Sequence, residues 1–179
     1  MVFMNIVLIG YRCAGKSAVG SRLAARLQMK FVDTDNLIEE RHGVLISDIV
    51  KSYGWDYFRA MEKQIIEEIS NQDHLVIASG GGAVLETENV KALGRNGLII
   101  WLKADKDAIH KRIETDPRAF VRRPSLTGKG VLEELEEVMA YREPFYGRAA
   151  GVELDTSNLD VEAVVEAVLL ILQERVGRV

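Results

Sequence analysis

The 179-residue sequence predicts an α/β fold in three layers: a five-stranded parallel sheet with helices on both faces. Three observations carry that prediction. The runs at 6–9, 75–78 and 98–102 are continuously apolar, as strands covered on both sides are. Stretches with apolar residues at helical spacing alternate with them. Several of the strands end in turns of glycine, serine or aspartate, which an open parallel sheet gathers at its carboxyl edge, where ligands bind.

The first strand covers the apolar start of the chain, 1–9, which lacks the basic opening of a signal segment. It runs into Gly10-Tyr11-Arg12-Cys13-Ala14-Gly15-Lys16-Ser17, the pattern GxxxxGK(S/T) of a phosphate-binding loop. Two glycines let the backbone turn tightly, so that its N–H groups and the positive end of the next helix surround a polyphosphate. Lys16 is placed to reach the β- and γ-phosphates and Ser17 to ligate Mg²⁺, with Gly10, Arg12, Cys13, Ala14, Gly15 and Ala18 completing the nucleotide contacts. A helix over 16–28 follows, striped by Val19, Leu23 and Leu27.

A short strand at 29–32 leads into Asp33-Thr34-Asp35, which sets two carboxylates at the carboxyl edge. Residues 36–53 form two short helices broken at Gly43, and Gly54 opens a longer one over 55–70. There Phe58, Met61, Ile65 and Ile69 face inward while Arg59 and Glu62 share a neighbouring face. The strand at 75–78 ends in Ser79-Gly80-Gly81-Gly82, three consecutive glycines that bring backbone close to a ligand. A helix over 87–93 with Gly94 as its cap, a strand at 98–102 and a helix over 105–114 come next.

Residues 116–130 break this rhythm with Pro117, Pro124, Gly128 and Gly130 among Arg118, Arg122, Arg123 and Lys129, and read as a mobile basic lid over the nucleotide. A helix over 131–141 carries Glu133, Glu134, Glu136 and Glu137 on a face read as solvated. A short strand at 152–154 and an apolar helix over 160–175 close the core.

A chain of this length with 47% hydrophobic residues is expected to form one domain over 1–179. Its charged content of 28% and net charge of −4 give no global basic footprint, so no nucleic-acid partner is expected. No apolar run approaches the ~20 residues of a membrane span. The single cysteine, Cys13, excludes an internal disulfide and fits a cytoplasmic protein, and a monomer is expected. The guanine-specifying NKxD pattern and a DxxG switch are absent, as are HExxH and paired CxxC metal motifs; His42, His74 and His110 are scattered and read as structural or exposed.

The phosphate loop, the Asp33-Thr34-Asp35 triplet, the Phe58-Arg59 pair with Glu62, the Ser-Gly-Gly-Gly turn, Arg123-Pro124 and Arg142-Glu143-Pro144-Phe145-Tyr146, in that order along nearly the whole chain, closely resemble the shikimate kinase family. The resemblance implies the P-loop fold of the nucleoside-monophosphate-kinase type and transfer of the γ-phosphoryl of ATP, with Mg²⁺, to the 3-hydroxyl of shikimate. It assigns Ser17 and, through water, Asp33 to the metal, Asp35 to the acceptor hydroxyls, and Arg59 and Arg142 to the acceptor carboxylate. It assigns the backbone of Gly80, Gly81 and Gly82 to the substrate, Arg112 to the adenine, and Arg123 to the phosphates as the lid closes, with Arg118 and Arg122 in the same loop. Residues 34–62 are then the acceptor-binding region and 116–130 the lid.

The chain departs from the family pattern at three places. Trp55 stands where glutamate usually follows the glycine; Arg123-Pro124-Ser125-Leu126 replaces Arg-Pro-Leu-Leu; and Ser157-Asn158-Leu159 fills the turn where an arginine often meets adenine. The competing readings are a gluconate or nucleoside-monophosphate kinase of the same fold, against which the acidic triplet and the two arginines weigh, and a non-catalytic ATP-binding regulator, which needs no acceptor-site aspartate.

Overall fold

A computed structural model describes residues 5–115 and 133–176 of the chain. Five parallel strands, β1 (Asn5–Ile9), β2 (Lys30–Asp33), β3 (Leu75–Ala78), β4 (Gly97–Lys103) and β5 (Val152–Asp155), form one sheet in the order β2-β3-β1-β4-β5. Register follows the apolar runs: Leu8 lies opposite Ala78 on one side and Ile100 on the other. Because β1 is central and flanked by both later strands, the loop leaving its carboxyl end occupies the topological switch of the sheet.

The strands build two cores through their two-residue period. Ile6, Leu8, Val76, Leu98, Ile100 and Leu102 point to one face, where α1 (Lys16–Leu27), α5 (Lys106–Thr115) and α7 (Val161–Val176) lie. Val7, Ile9, Leu75, Ile77, Ile99 and Trp101 point to the other, covered by α2 (Thr34–His42), α3 (Ile46–Ser70), α4 (Thr87–Arg95) and part of α6 (Leu135–Ala149). This is the three-layer sandwich that the continuous apolar strands predict.

Several boundaries move, each for a local reason. Gly43, at φ +69°, caps α2, and α3 passes through Gly54, whose φ of +84° lies in the region that only glycine enters without strain, so two helical segments join at a kink there. Gly94 does not cap α4: it lies within the helix, which ends one residue later, at Arg95, with Asn96 as its cap. The helix expected over 131–141 instead runs on to Ala149 through Pro144 and so carries Arg142 and Tyr146 one turn apart on one face. Its acidic start is not wholly solvated either: Glu134 is fully buried and accepts from Arg12 Nη2 at 3.2 Å. The lid region and its arginines, Arg118, Arg122 and Arg123, lie outside the described residues.

Candidate active site

The phosphate loop joins β1 to α1 and opens on the sheet's carboxyl edge. Gly10 takes φ +146°, and a β-carbon there would lie 2.6 Å from the Leu102 carbonyl oxygen, so the first loop position requires glycine. Gly15, at φ +96°, is the residue before α1, and the loop amides therefore meet the helix N-terminus, where anions bind. Lys16 is buried, and its Nζ donates to the Gly10 and Tyr11 carbonyls at 2.9 and 2.8 Å, folded back along the loop that would cradle phosphates. Cys13 occupies a left-handed turn at φ +59°.

One loop residue behaves differently from its companions. Arg12, expected among the nucleotide contacts, pairs its side chain with Glu134 and lines the neighbouring cleft. Breaking such a buried pair is costly, so the pair ties the phosphate loop to the start of α6.

Ser17, the first residue after Lys16 in α1, donates its hydroxyl to Asp33 Oδ2 at 2.5 Å. The other Asp33 oxygen accepts from the Asp35 and Asn36 amides at 3.0 and 3.2 Å and so caps α2. A hydroxyl and a carboxylate meeting beside a phosphate loop are donors that Mg²⁺ takes, since this ion is bound by one or two protein oxygens together with water and substrate phosphates. Among the described residues no group of three or more His, Cys, Asp or Glu side chains forms a protein-only metal cage.

Beside the loop lies a cleft lined by Asp35, Trp55, Phe58, Arg59 and Glu62 together with Arg12, Ile46, Gly80, Gly81, Gly82 and Arg142. The cap on α2 sets Asp35 in the first turn, at the cleft, while α3 supplies Arg59 and Glu62 one turn apart. The Arg59 guanidinium donates to Glu62 Oε2, the i,i+3 contact that their spacing allows. It also lies 5.6 Å from the Trp55 ring centre and 5.0 Å from that of Phe58, within range of cation–π attraction. Trp55, the departure from the family pattern, thus packs on the arginine.

Glu62 is completely buried, and burial is the main cause that raises its carboxyl from 4.5 to about 7; Arg59 opposes the rise and Asp35 adds to it. Its second oxygen, Oε1, has no hydrogen-bond partner among the described residues. Arg142 is buried on α6, and its Nε is likewise unpartnered among them. Buried hydrogen-bonding atoms without partners around a cleft are places where a polar ligand can bond.

The three glycines are not alike. The Gly80 N–H donates to the Thr34 hydroxyl at 2.8 Å and is spent on the fold; what Gly80 offers the cleft is space, since a β-carbon there would collide with Glu62 Oε1 and come within 2.7 Å of Asp35 Oδ1. Of the three backbones expected to address the substrate, the Gly80 amide is the one bonded to Thr34 in this structure. A β-carbon on Gly82 would run into the Arg59 guanidinium. Arg112, expected beside the adenine, donates from Nη2 to the Thr156 carbonyl at 2.6 Å, which holds it against the turn after β5. Sequence reasoning missed Ile46, Glu134 and Tyr146; the i,i+4 spacing of Arg142 and Tyr146 was the available signal for the last, and nothing distinguished Glu134 from its acidic neighbours.

A parallel sheet with a phosphate loop at its switch point, opening beside a cleft of arginines and carboxylates, defines a P-loop kinase of small molecules. The family model described as Shikimate kinase matches residues 12–173. A shikimate kinase of Symbiobacterium thermophilum is 42% identical over 172 residues, covering 96% of this chain and 98% of its own, and shikimate kinase 2 of Photorhabdus laumondii is 41% identical over 82% of this chain and 84% of its own. The solved structure of shikimate kinase from Acinetobacter baumannii in complex with shikimate superposes with a TM-score of 0.89 at 28% identity, covering 97% of this chain and 95% of that one. The chain belongs to the shikimate kinase family.

Proposed function

We infer that this protein transfers the γ-phosphoryl group of ATP to the 3-hydroxyl of shikimate, giving shikimate 3-phosphate for aromatic amino-acid biosynthesis. The observation that carries the reading is the cleft: two arginines from different helices, Arg59 and Arg142, flank Asp35 and the glycine turn directly beside the phosphate loop. Guanidinium groups match a planar carboxylate with paired hydrogen bonds, and a carboxylate such as Asp35 accepts from hydroxyls, so together they suit a hydroxylated acid.

The roles follow from the chemistry. The amides of the 10–17 loop and Lys16 hold the phosphates, Lys16 exchanging its two carbonyl partners for phosphate oxygens. Ser17 and, through water, Asp33 hold Mg²⁺, which when bound supplies neutralisation of the charge shared by the β- and γ-phosphates. Asp35 orients the attacking hydroxyl. Phosphoryl transfer has a loose transition state with little early loss of the nucleophile's proton, so positioning outweighs basicity at this residue. Arg59 and Arg142 take the carboxylate, Glu62 fixes Arg59, and Gly81 and Gly82 approach the acceptor. Arg123, in the lid at 116–130, completes the charge on the phosphates, and Arg112 stands at the adenine end. The same reading takes 1–179 as one domain, and the enzyme as a cytoplasmic monomer that binds neither nucleic acid nor membrane; among the described residues no helix is long and apolar enough to cross one.

The test is ADP release from MgATP with shikimate, quinate, gluconate, AMP or no acceptor. Release with shikimate alone is expected. Release only with another acceptor would replace the substrate, and ATP binding without any acceptor-dependent release would favour the regulator. Withholding Mg²⁺ should abolish turnover.

A further inference from the structure

The glycine turn that walls the cleft is held at its first amide by Thr34 and at the Gly81 carbonyl by a second side chain. Tyr146, 2% exposed, donates its hydroxyl to the Gly81 carbonyl at 2.6 Å. The ring stacks on Trp101, with centres 5.5 Å apart and planes 28° from parallel, and Trp101 is anchored in β4 opposite Ile9, the residue before the phosphate loop. Arg142, one turn earlier on α6, interacts with the same hydroxyl. One helix therefore carries both an arginine of the cleft and a strut to the glycine turn.

The strut has a geometric consequence. A trans peptide is planar, with C=O and N–H pointing in opposite directions. Fixing the Gly81 carbonyl on the Tyr146 hydroxyl therefore fixes the Gly82 N–H on the side away from it. Gly81 also packs beside the phosphate loop: the site a β-carbon would take lies at ordinary contact distance, 3.4 Å from the Gly10 carbonyl oxygen and 3.5 Å from the Arg12 nitrogen. Glycine is the residue that most needs such a restraint, since its backbone is the least confined by sterics.

We propose that Tyr146 is a positioning residue for the acceptor: through its bond to Gly81 it holds the Gly81–Gly82 peptide in the orientation that presents the Gly82 N–H to the bound hydroxy acid. This rests on the shikimate kinase reading above. Burial raises the phenol to about 12, so the hydroxyl remains a donor throughout the range in which the enzyme would be assayed.

Tyr146→Phe keeps the ring and its stack and removes only the hydroxyl. Two measurements on the full chain test the proposal. Hydrogen–deuterium exchange of the unliganded protein should show faster exchange confined to the peptide containing residues 80–82, with α6 and the strands unchanged. Steady-state kinetics should show the KM for shikimate raised about three- to tenfold, the scale of one lost neutral hydrogen bond, with kcat and the KM for ATP changed less than about twofold, as expected when ground state and transition state lose the same contact. Unchanged exchange at 80–82, faster exchange spread over the whole chain, an unchanged KM for shikimate or an equal rise in the KM for ATP would each overturn it. Should the wild-type protein not use shikimate, the proposed function fails, while the exchange comparison still tells whether Tyr146 holds the turn.

Discussion

Glu62 makes stability and acceptor binding depend on pH in a direction opposite to that of most carboxylates. Its carboxyl sits at about 7 in the folded protein against 4.5 in an open chain, and the side chain has no exposed surface to soften the effect. As pH rises through this window the unfolded chain gives up the proton while the folded chain retains it. The stability this group contributes is therefore full below 4.5 and falls as pH rises to about 7, by about 3 kcal/mol in all. Between pH 5.5 and 8 the fall is about 2 kcal/mol, or roughly 4–8 °C in Tm for a chain of this size. Glu62→Gln keeps the shape and cannot ionise. Thermal unfolding of both proteins at half-unit pH steps should show the wild type losing ground to Glu62→Gln by that amount as pH rises. The KM for shikimate should rise above neutrality in the wild type only, since an ionised Glu62 competes with the acceptor carboxylate for Arg59, while Asp35 adds repulsion and Arg142 draws both carboxylates. A pH-independent difference in Tm would refute the reasoning, whatever the kinetics showed.

Gly82→Ala places a methyl group against the Arg59 guanidinium, within 2.8 Å of Cζ and 2.9 Å of Nη1; it should raise the KM for shikimate at least about tenfold and leave ATP affinity unchanged, as measured by titration of each ligand separately. Trp55→Leu removes the ring beside Arg59, and because cation–π attraction is worth about 0.5–2 kcal/mol, the KM for shikimate should rise about two- to thirtyfold with the circular dichroism spectrum unchanged. Glu134→Ala strips a buried partner from Arg12 and should lower stability by about 3 kcal/mol in denaturant titration; a loss below 1 kcal/mol would mean that the pair does not tie the phosphate loop to α6.

The sheet, its layers and the phosphate loop were legible in the chain itself, because each depends on interactions close in sequence. Continuous apolar strands such as 98–102 announce burial on both faces, Gly10 and Gly15 announce conformations that other residues avoid, and the Arg59–Glu62 pair follows from helical spacing. Even Asp33-Thr34-Asp35 could be placed at the carboxyl edge from its strand alone. What only the tertiary structure decided involves partners far apart along the chain. Glu134 looks like its solvated neighbours until Arg12, 122 positions away, is folded against it. The Gly80 amide is taken by Thr34, 46 residues earlier, and the Gly81 carbonyl by Tyr146, 65 residues later. Local pattern reports propensity and periodicity, whereas the burial of a charge and the partner of a backbone group depend on which elements the sheet brings together. Glu62 shows both: its place beside Arg59 is written in the helix, but its raised pKa exists only because the packed cleft excludes water from it.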